Sequence, residues 1–247
     1  MTAVLVSALL GSLAGALAPR PVYRLSVHYG SPPRTGCGRC GHPFPVGAAG
    51  WLRLSARCPG CRLRLGPPGW LTALAGAAAC GLTTWALAGS GALVVTAFLA
   101  VAVLGVPLAA IDIACLRLPD PLVAATGLAT LAPLAGAAFV AGDPGPLVRG
   151  LAGAAALGGV HLVLAVLPGA HLGFGDVKLA AVLGLPLGWL GWSAVLLGGI
   201  LPHLINGPVA LGLLLTGRAG RRTELPLGPA LLAGALAATV LVAATGR

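Results

Sequence analysis

The sequence predicts an all-α polytopic membrane protein of about eight transmembrane helices, with one small polar insert after the first. Three observations predict it. Hydrophobic residues fill 57% of the 247 positions and charged residues only 8%. A soluble domain carries roughly a quarter charged residues and could not hide this much apolar surface. Mean hydropathy is +0.97, which also excludes intrinsic disorder. Finally, the few charges are bunched between long apolar stretches, and they are mostly of one sign. There are 15 basic and 5 acidic residues, for a net charge of +10.

A spanning helix needs about 20 apolar residues. Such stretches occur at 2–19, 70–89, 91–111, 121–141, 147–167, 177–190, 191–216 and 226–245. The sixth is short, and Leu179 to Thr216 is nearly continuous apolar sequence, so that division is the least marked. Glycine and proline recur inside the stretches. Membrane helices tolerate them where neighbours satisfy the freed backbone groups, and small residues allow close helix contact.

The first stretch has no basic residue before it, whereas Arg20 and Arg24 follow it. That order is the reverse of a secretory signal and predicts a retained helix with its N-terminus outside. Alternating eight spans from there places 13 of the 15 basic residues inside, leaving only Arg149 and Arg247 outside. Cytoplasmic segments of membrane proteins collect Lys and Arg in this way. Eight of the basic residues lie between Arg20 and Arg64, with no acid among them. Nucleic-acid binding is the other reading of such a cluster; the membrane character of the rest of the chain favours the positive-inside reading, and no nucleic-acid partner is expected.

Residues 20–69 form the one stretch of ordinary polarity. Cys37, Cys40, Cys58 and Cys61 fall in the pattern C-x2-C-x17-C-x2-C, a spacing that reads as a four-thiolate zinc site. Two disulfides are the competing reading, and a cytoplasmic location disfavours them. A knuckle of about 50 residues has little core, so a structural metal would stabilise it. His42 reads as a surface residue rather than a fifth ligand, and Cys80 and Cys115 as packed thiols.

The five acids are Asp112, Asp120, Asp143, Asp176 and Glu224. Asp143 sits in a Gly-Asp-Pro-Gly turn. The other four fall at cytoplasmic helix ends, where an ionisable group at membrane depth is a functional hypothesis by default. Asp120, next to proline at a helix start, reads as a cap. Asp176 follows Gly173 and Gly175, whose missing side chains permit close approach to another helix. Two carboxyl groups brought together cannot both ionise cheaply, so one keeps a proton, as acid–base catalysis requires. Three readings stay open on the residues alone. They are catalysis by Asp112 and Asp176, transport along a polar path, and structural ion pairs of these aspartates with Arg117 and Lys178.

A set of motifs in chain order resembles a known family. Gly11-Ser12 and Tyr23-Arg24-Leu25 come first, then the tetracysteine insert. Asp112 with Leu118-Pro119-Asp120 follows, then Gly173-Phe174-Gly175-Asp176-Val177-Lys178, then Glu224-Leu225-Pro226-Leu227-Gly228-Pro229. The whole resembles the type 4 prepilin peptidase family, membrane aspartic proteases of the GxGD type. The resemblance implies that Asp112 and Asp176 are the catalytic pair, with Gly173, Gly175, Lys178, Asp120 and Glu224 in support; Lys178 reads as an interface residue. It implies a zinc-binding insert over 20–69, between a first helix over 1–19 and a seven-helix peptidase domain over 70–247. It implies cleavage of a basic leader from type IV prepilin-like proteins at the cytoplasmic face of the inner (plasma) membrane. Many long members also methylate the new N-terminal amine with S-adenosylmethionine. The usual Asn after the first-helix Gly-Ser is missing, as is an acid after the cysteine insert. These departures bear on methylation more than on proteolysis. A transporter with a regulatory zinc knuckle and an inactive scaffold are the alternatives.

Overall fold

The computed structural model describes residues 1–167, 172–217 and 225–246. His171, Arg218, Arg221, Arg222, Glu224 and Arg247 lie outside the described residues.

Helix α1 (Thr2–Leu17) continues into α2 (Pro19–Leu25) through a bend of 42°. Pro19 starts α2 and cannot donate an amide hydrogen to the preceding turn, which is where a helix bends. After the polar insert, with its single turn α3 (Ala48–Trp51), come α4 (Gly69–Ala86), α5 (Ala92–Cys115) and α6 (Asp120–Ala141). Then follow α7 (Gly145–Val166), α8 (Phe174–Leu190), α9 (Trp192–Leu215) and α10 (Gly228–Thr245). Gly191, at φ 136°, separates α8 from α9, so the nearly continuous apolar run is indeed two helices.

Long helices thus occupy all eight expected stretches. Five of them, α5, α6, α7, α9 and α10, are long and apolar enough to cross a membrane, and α1 with α2 makes a sixth if the bent pair is one span. Helix α8 has only 17 residues. Helix α4 has 18, diluted by three glycines and three threonines. No β-strand forms among the described residues.

The helices pack through small residues, as expected where lipid is as apolar as leucine. Between α7 and α8, a Cβ added to Gly188 would lie 2.8 Å from the Cα of Gly150, and one added to Gly184 would lie 2.6 Å from the Cα of Ala154. Arg149, near the start of α7, fixes the same pair. Its Nε and Nη2 donate to the carbonyls of Gly188 (2.8 Å) and Trp189 (2.9 Å) in the last turn of α8, where a cation suits the helix dipole. Gly184→Val is expected to lower the stability of the protein in detergent by roughly 1–3 kcal/mol through overpacking. Gly159→Val is the control, because a Cβ on Gly159 of α7 meets nothing within 4 Å. Thermal unfolding checks both.

Leu108, Leu118, Leu179, Leu183, Leu187 and Leu231 join α5, α8 and α10 in one buried core. Leu9, Leu128, Phe139 and Leu196 stay exposed, as lipid-facing residues would. Polar side chains within the helices mostly turn back on their own backbone: Thr96 Oγ1 donates to the carbonyl of Ala92 at 2.8 Å, and Thr130 Oγ1 to that of Thr126 at 2.8 Å.

Candidate active site and metal centre

Asp112 lies one turn from the C-terminus of α5, and Asp176 lies in the first turn of α8. Both line one cavity of about 870 Å³. Asp112 is buried at 4% exposure, and its Oδ2 accepts the backbone N–H of Gly228 at 2.9 Å. That amide belongs to the free N-terminus of α10, where backbone donors point at an anion. A Cβ on Gly228 would itself lie 2.9 Å from Oδ2, so this approach needs glycine. Oδ1 of Asp176 is buried without a hydrogen-bond partner. Gly173 precedes α8, and Gly175 packs against the turn at Leu118, where a Cβ would lie 3.1 Å from the Leu118 Cβ. The glycines therefore do bring Asp176 up to a neighbouring segment.

The ion pairs considered for the two aspartates do not form. Nη1 of Arg117 donates to the carbonyls of Val27 (3.0 Å) and His28 (2.8 Å). Lys178 Nζ lies 2.7 Å from Oδ1 of Asp120, with both side chains about half exposed, at 52% and 50%. Asp120 is consequently no cap: α6 begins without a side-chain cap bond, because this carboxylate faces Lys178 instead. An exposed pair of this kind contributes about 0–1 kcal/mol. Lys178→Ala should leave unfolding in detergent within about 1 kcal/mol of the parent; a larger loss, by thermal denaturation, would mean that Lys178 holds α8 in place.

The sequence gives no sign of the cavity's other wall. Ser26, Val27, His28, Tyr29 and Arg34, from the link between α2 and the first cysteine turn, line the same cavity as the two aspartates. Arg117 holds this link from about 90 positions away in the chain, a contact that only folding creates. Three carboxyl groups and three Arg or Lys side chains line the cavity, so the carboxylates do not stand in a purely negative surround. His161 and His203 lie elsewhere: their rings stack at 5.8 Å between α7 and α9, and His161 Nδ1 lies 2.8 Å from the Leu157 carbonyl.

The four cysteines of the insert converge. Their Sγ atoms all lie within 4.8 Å of one another, with Cys37 to Cys61 and Cys40 to Cys58 each at 3.6 Å. A tetrahedral zinc with bonds of about 2.3 Å sets sulfurs about 3.8 Å apart, whereas a disulfide needs about 2.05 Å. All four thiols are free. Two like-built turns supply them. The Cys37 amide donates to the His42 carbonyl (3.0 Å), and that of Cys58 to the Leu63 carbonyl (2.8 Å). Gly41 and Arg62, each just after the second cysteine of its turn, both take positive φ, 70° and 57°. The Arg39 and Cys40 amides beside Cys37 pull its thiol down to about 6, whereas Cys40, despite the His42 amide, is pushed up to about 11 by the Cys61 and Cys58 sulfurs, so the cluster by itself favours one thiolate rather than four. His42 is exposed and is not one of the converging groups.

Comparison with known proteins agrees with the motif order. The chain is 33% identical over 226 residues to the prepilin leader peptidase/N-methyltransferase of Aeromonas salmonicida (strain A449), covering 80% of this chain and 67% of that one. It is 33% identical over 238 residues to the protein of the same name in Aeromonas hydrophila, covering 85% and 70%. For the Burkholderia pseudomallei (strain 1026b) protein of that name, identity is 35% over 213 residues, covering 83% and 66%. No protein-family model matches the chain, and no solved structure matches it significantly.

Proposed function

Because the chain belongs to the prepilin leader peptidase/N-methyltransferase family, we propose that it is a membrane aspartic endopeptidase that removes the basic leader from type IV prepilin-like proteins. The observation that carries this reading is that Asp112 and Asp176, 64 positions apart and on two helices, line one cavity, with Asp112 held by the amide of Gly228. The cavity lies at the end of the helices that carries Arg117, Lys178 and the cysteine insert, the end that the distribution of basic residues assigns to the cytoplasm. All eight long helices would cross or enter the bilayer, with the N-terminus outside.

In the proposed reaction the pair shares one proton and titrates as a unit. The ionised carboxylate takes a proton from water, whose oxygen attacks the scissile carbonyl carbon. The protonated carboxyl donates its proton to the carbonyl oxygen, giving a neutral tetrahedral diol. Collapse breaks the C–N bond: the leaving nitrogen receives a proton from the carboxyl that took one from water, a diol hydroxyl returns its proton to the other carboxylate, and the leader departs with a new C-terminal acid that ionises to solvent. The buried Oδ1 of Asp176 has no hydrogen-bond partner in the protein. The Ser26–Tyr29 link would lie over the cleaved segment.

Cys37, Cys40, Cys58 and Cys61 would hold a structural zinc, which supplies a cross-link in place of a hydrophobic core. The test is direct. Purified protein is incubated with prepilin-like precursors, and product N-termini are read by mass spectrometry. A single cut after the basic leader supports the reading; intact precursors under conditions where the protein is folded would sink it. Methylation, the second activity in the relatives' names, is read in the same spectrum as an added methyl group on the new amine.

A further inference from the structure

Arg20, at the second position of α2, is fully buried at 0% exposure, and none of its three guanidinium nitrogens has a hydrogen-bond partner. Arginine cannot shed its charge at ordinary pH, and a buried cation with nothing opposite it is strongly unfavourable. Among the described residues no carboxylate forms an ion pair with it, and the insert that covers it, from Arg20 to Arg64, holds no acid. The charged or ionisable groups that act on it are Arg53, Arg24 and Cys58, and of these only Cys58 can become an anion.

The guanidinium carbon lies 4.9 Å from the ring centroid of Phe44. Phe44 packs in one buried cluster with Cys37, Cys58 and Leu65. Gly66 follows that cluster and lies so close to Pro19 that a Cβ on it would overlap the Pro19 carbonyl. The cysteine insert is therefore seated on α2 with Arg20 sealed at the seam.

The geometry points to Arg20 as the counter-charge of a metal–tetrathiolate centre, and so as the residue through which metal loading seats the insert on the membrane-facing helix. Four thiolates around a divalent cation carry a net charge of −2, and the buried arginine offsets half of it. A cation held near cysteine ligands favours their thiolate form through its charge. The consequence reaches the cavity. Arg24, one turn further along α2, donates from Nε to the Arg34 carbonyl (2.9 Å) and from Nη1 to that of Gly50 (3.2 Å). Arg34 returns a bond from Nη1 to the Tyr23 carbonyl at 2.8 Å. The segment so held contains Ser26 to Tyr29, which line the same cavity as the aspartates. The inference rests on the four-cysteine site and not on the proposed protease activity.

The test uses the full chain in detergent, with Arg20→Met and Arg20→Lys beside the parent. Zinc affinity is measured by competition with a chromophoric chelator, and the cobalt-substituted site by its thiolate-to-metal absorption. Arg20→Met should weaken zinc binding by about 10–100-fold, and Arg20→Lys by clearly less, because it keeps the charge. Loaded with zinc, the Arg20→Met protein should melt below the loaded parent; stripped of metal, where the insert opens and releases Arg20, the two should melt together. A residue of α2 that only packs would lower the melting temperature in both states. Parental zinc affinity in Arg20→Met, equal losses in Met and Lys variants, or a lower melting temperature of the stripped Met variant would each overturn the proposal. Should Arg20→Met fail to fold, Arg20→Gln replaces it as the neutral variant with the same expected outcomes.

Discussion

Asp176→Asn should reduce leader cleavage by at least about 10³-fold, in the upper part of the range that positioned acid–base groups supply, and Asp112→Asn should do the same. The two side chains line one cavity and would act as one unit. The double variant is therefore expected to lose little more than either single one, since residues acting together are far from additive. Asn keeps the shape and one carbonyl oxygen, so the Gly228 amide still finds an acceptor at position 112 and the helices should remain assembled. The measurement is the initial rate of precursor cleavage, normalised to folded protein by gel filtration. A single variant that cleaves within tenfold of the parent would remove that aspartate from the chemistry. Multiplying losses in the double variant would mean that the two act separately.

Cysteine substitution tests the second large effect. Cys58→Ser should abolish stoichiometric zinc binding, because Cys58 is buried at 1% exposure among the converging sulfurs and serine cannot replace a soft thiolate. Structural zinc couples on the order of 10 kcal/mol of binding free energy to folding in small domains. The insert has only a small core around Phe44 and Leu65, so loss of metal should open it. Hydrogen exchange over residues 36–65 should then rise to near unprotected rates, while α7 and α8 keep their protection. Metal analysis together with exchange mass spectrometry checks both halves. Parental protection over 36–65 in the absence of metal would show that the insert folds without it.

Much of this protein was legible in its residues for physical reasons that act locally. Apolar runs must form helices in lipid, since an unpaired backbone amide has no partner there, and all eight runs became long helices. The C-x2-C turns act over four residues, so their geometry followed from spacing alone. The roles of Asp120 and Lys178 did not. A proline neighbour suggested a cap, yet the Asp120 carboxylate was drawn 2.7 Å from a lysine 58 positions away, a choice that only the packing of α6 on α8 offers. Nor was it legible that Arg34 and Arg117, from distant segments, line the same cavity as the aspartates.

The sequence by itself determined the solvent this chain lives in, the number and order of its long helices, the four cysteines that converge and the two aspartates worth watching. Those are consequences of composition and of spacing within a turn or two. Tertiary structure alone decided that Asp112 and Asp176 line one cavity, that the first amide of α10 reaches Asp112, that a link from the insert lines that cavity too, and that Arg20 is sealed between α2 and the cysteine insert. Each joins segments far apart in the chain. Such contacts are set by which helix faces fit together, and that depends on shape summed over many small residues rather than on any motif.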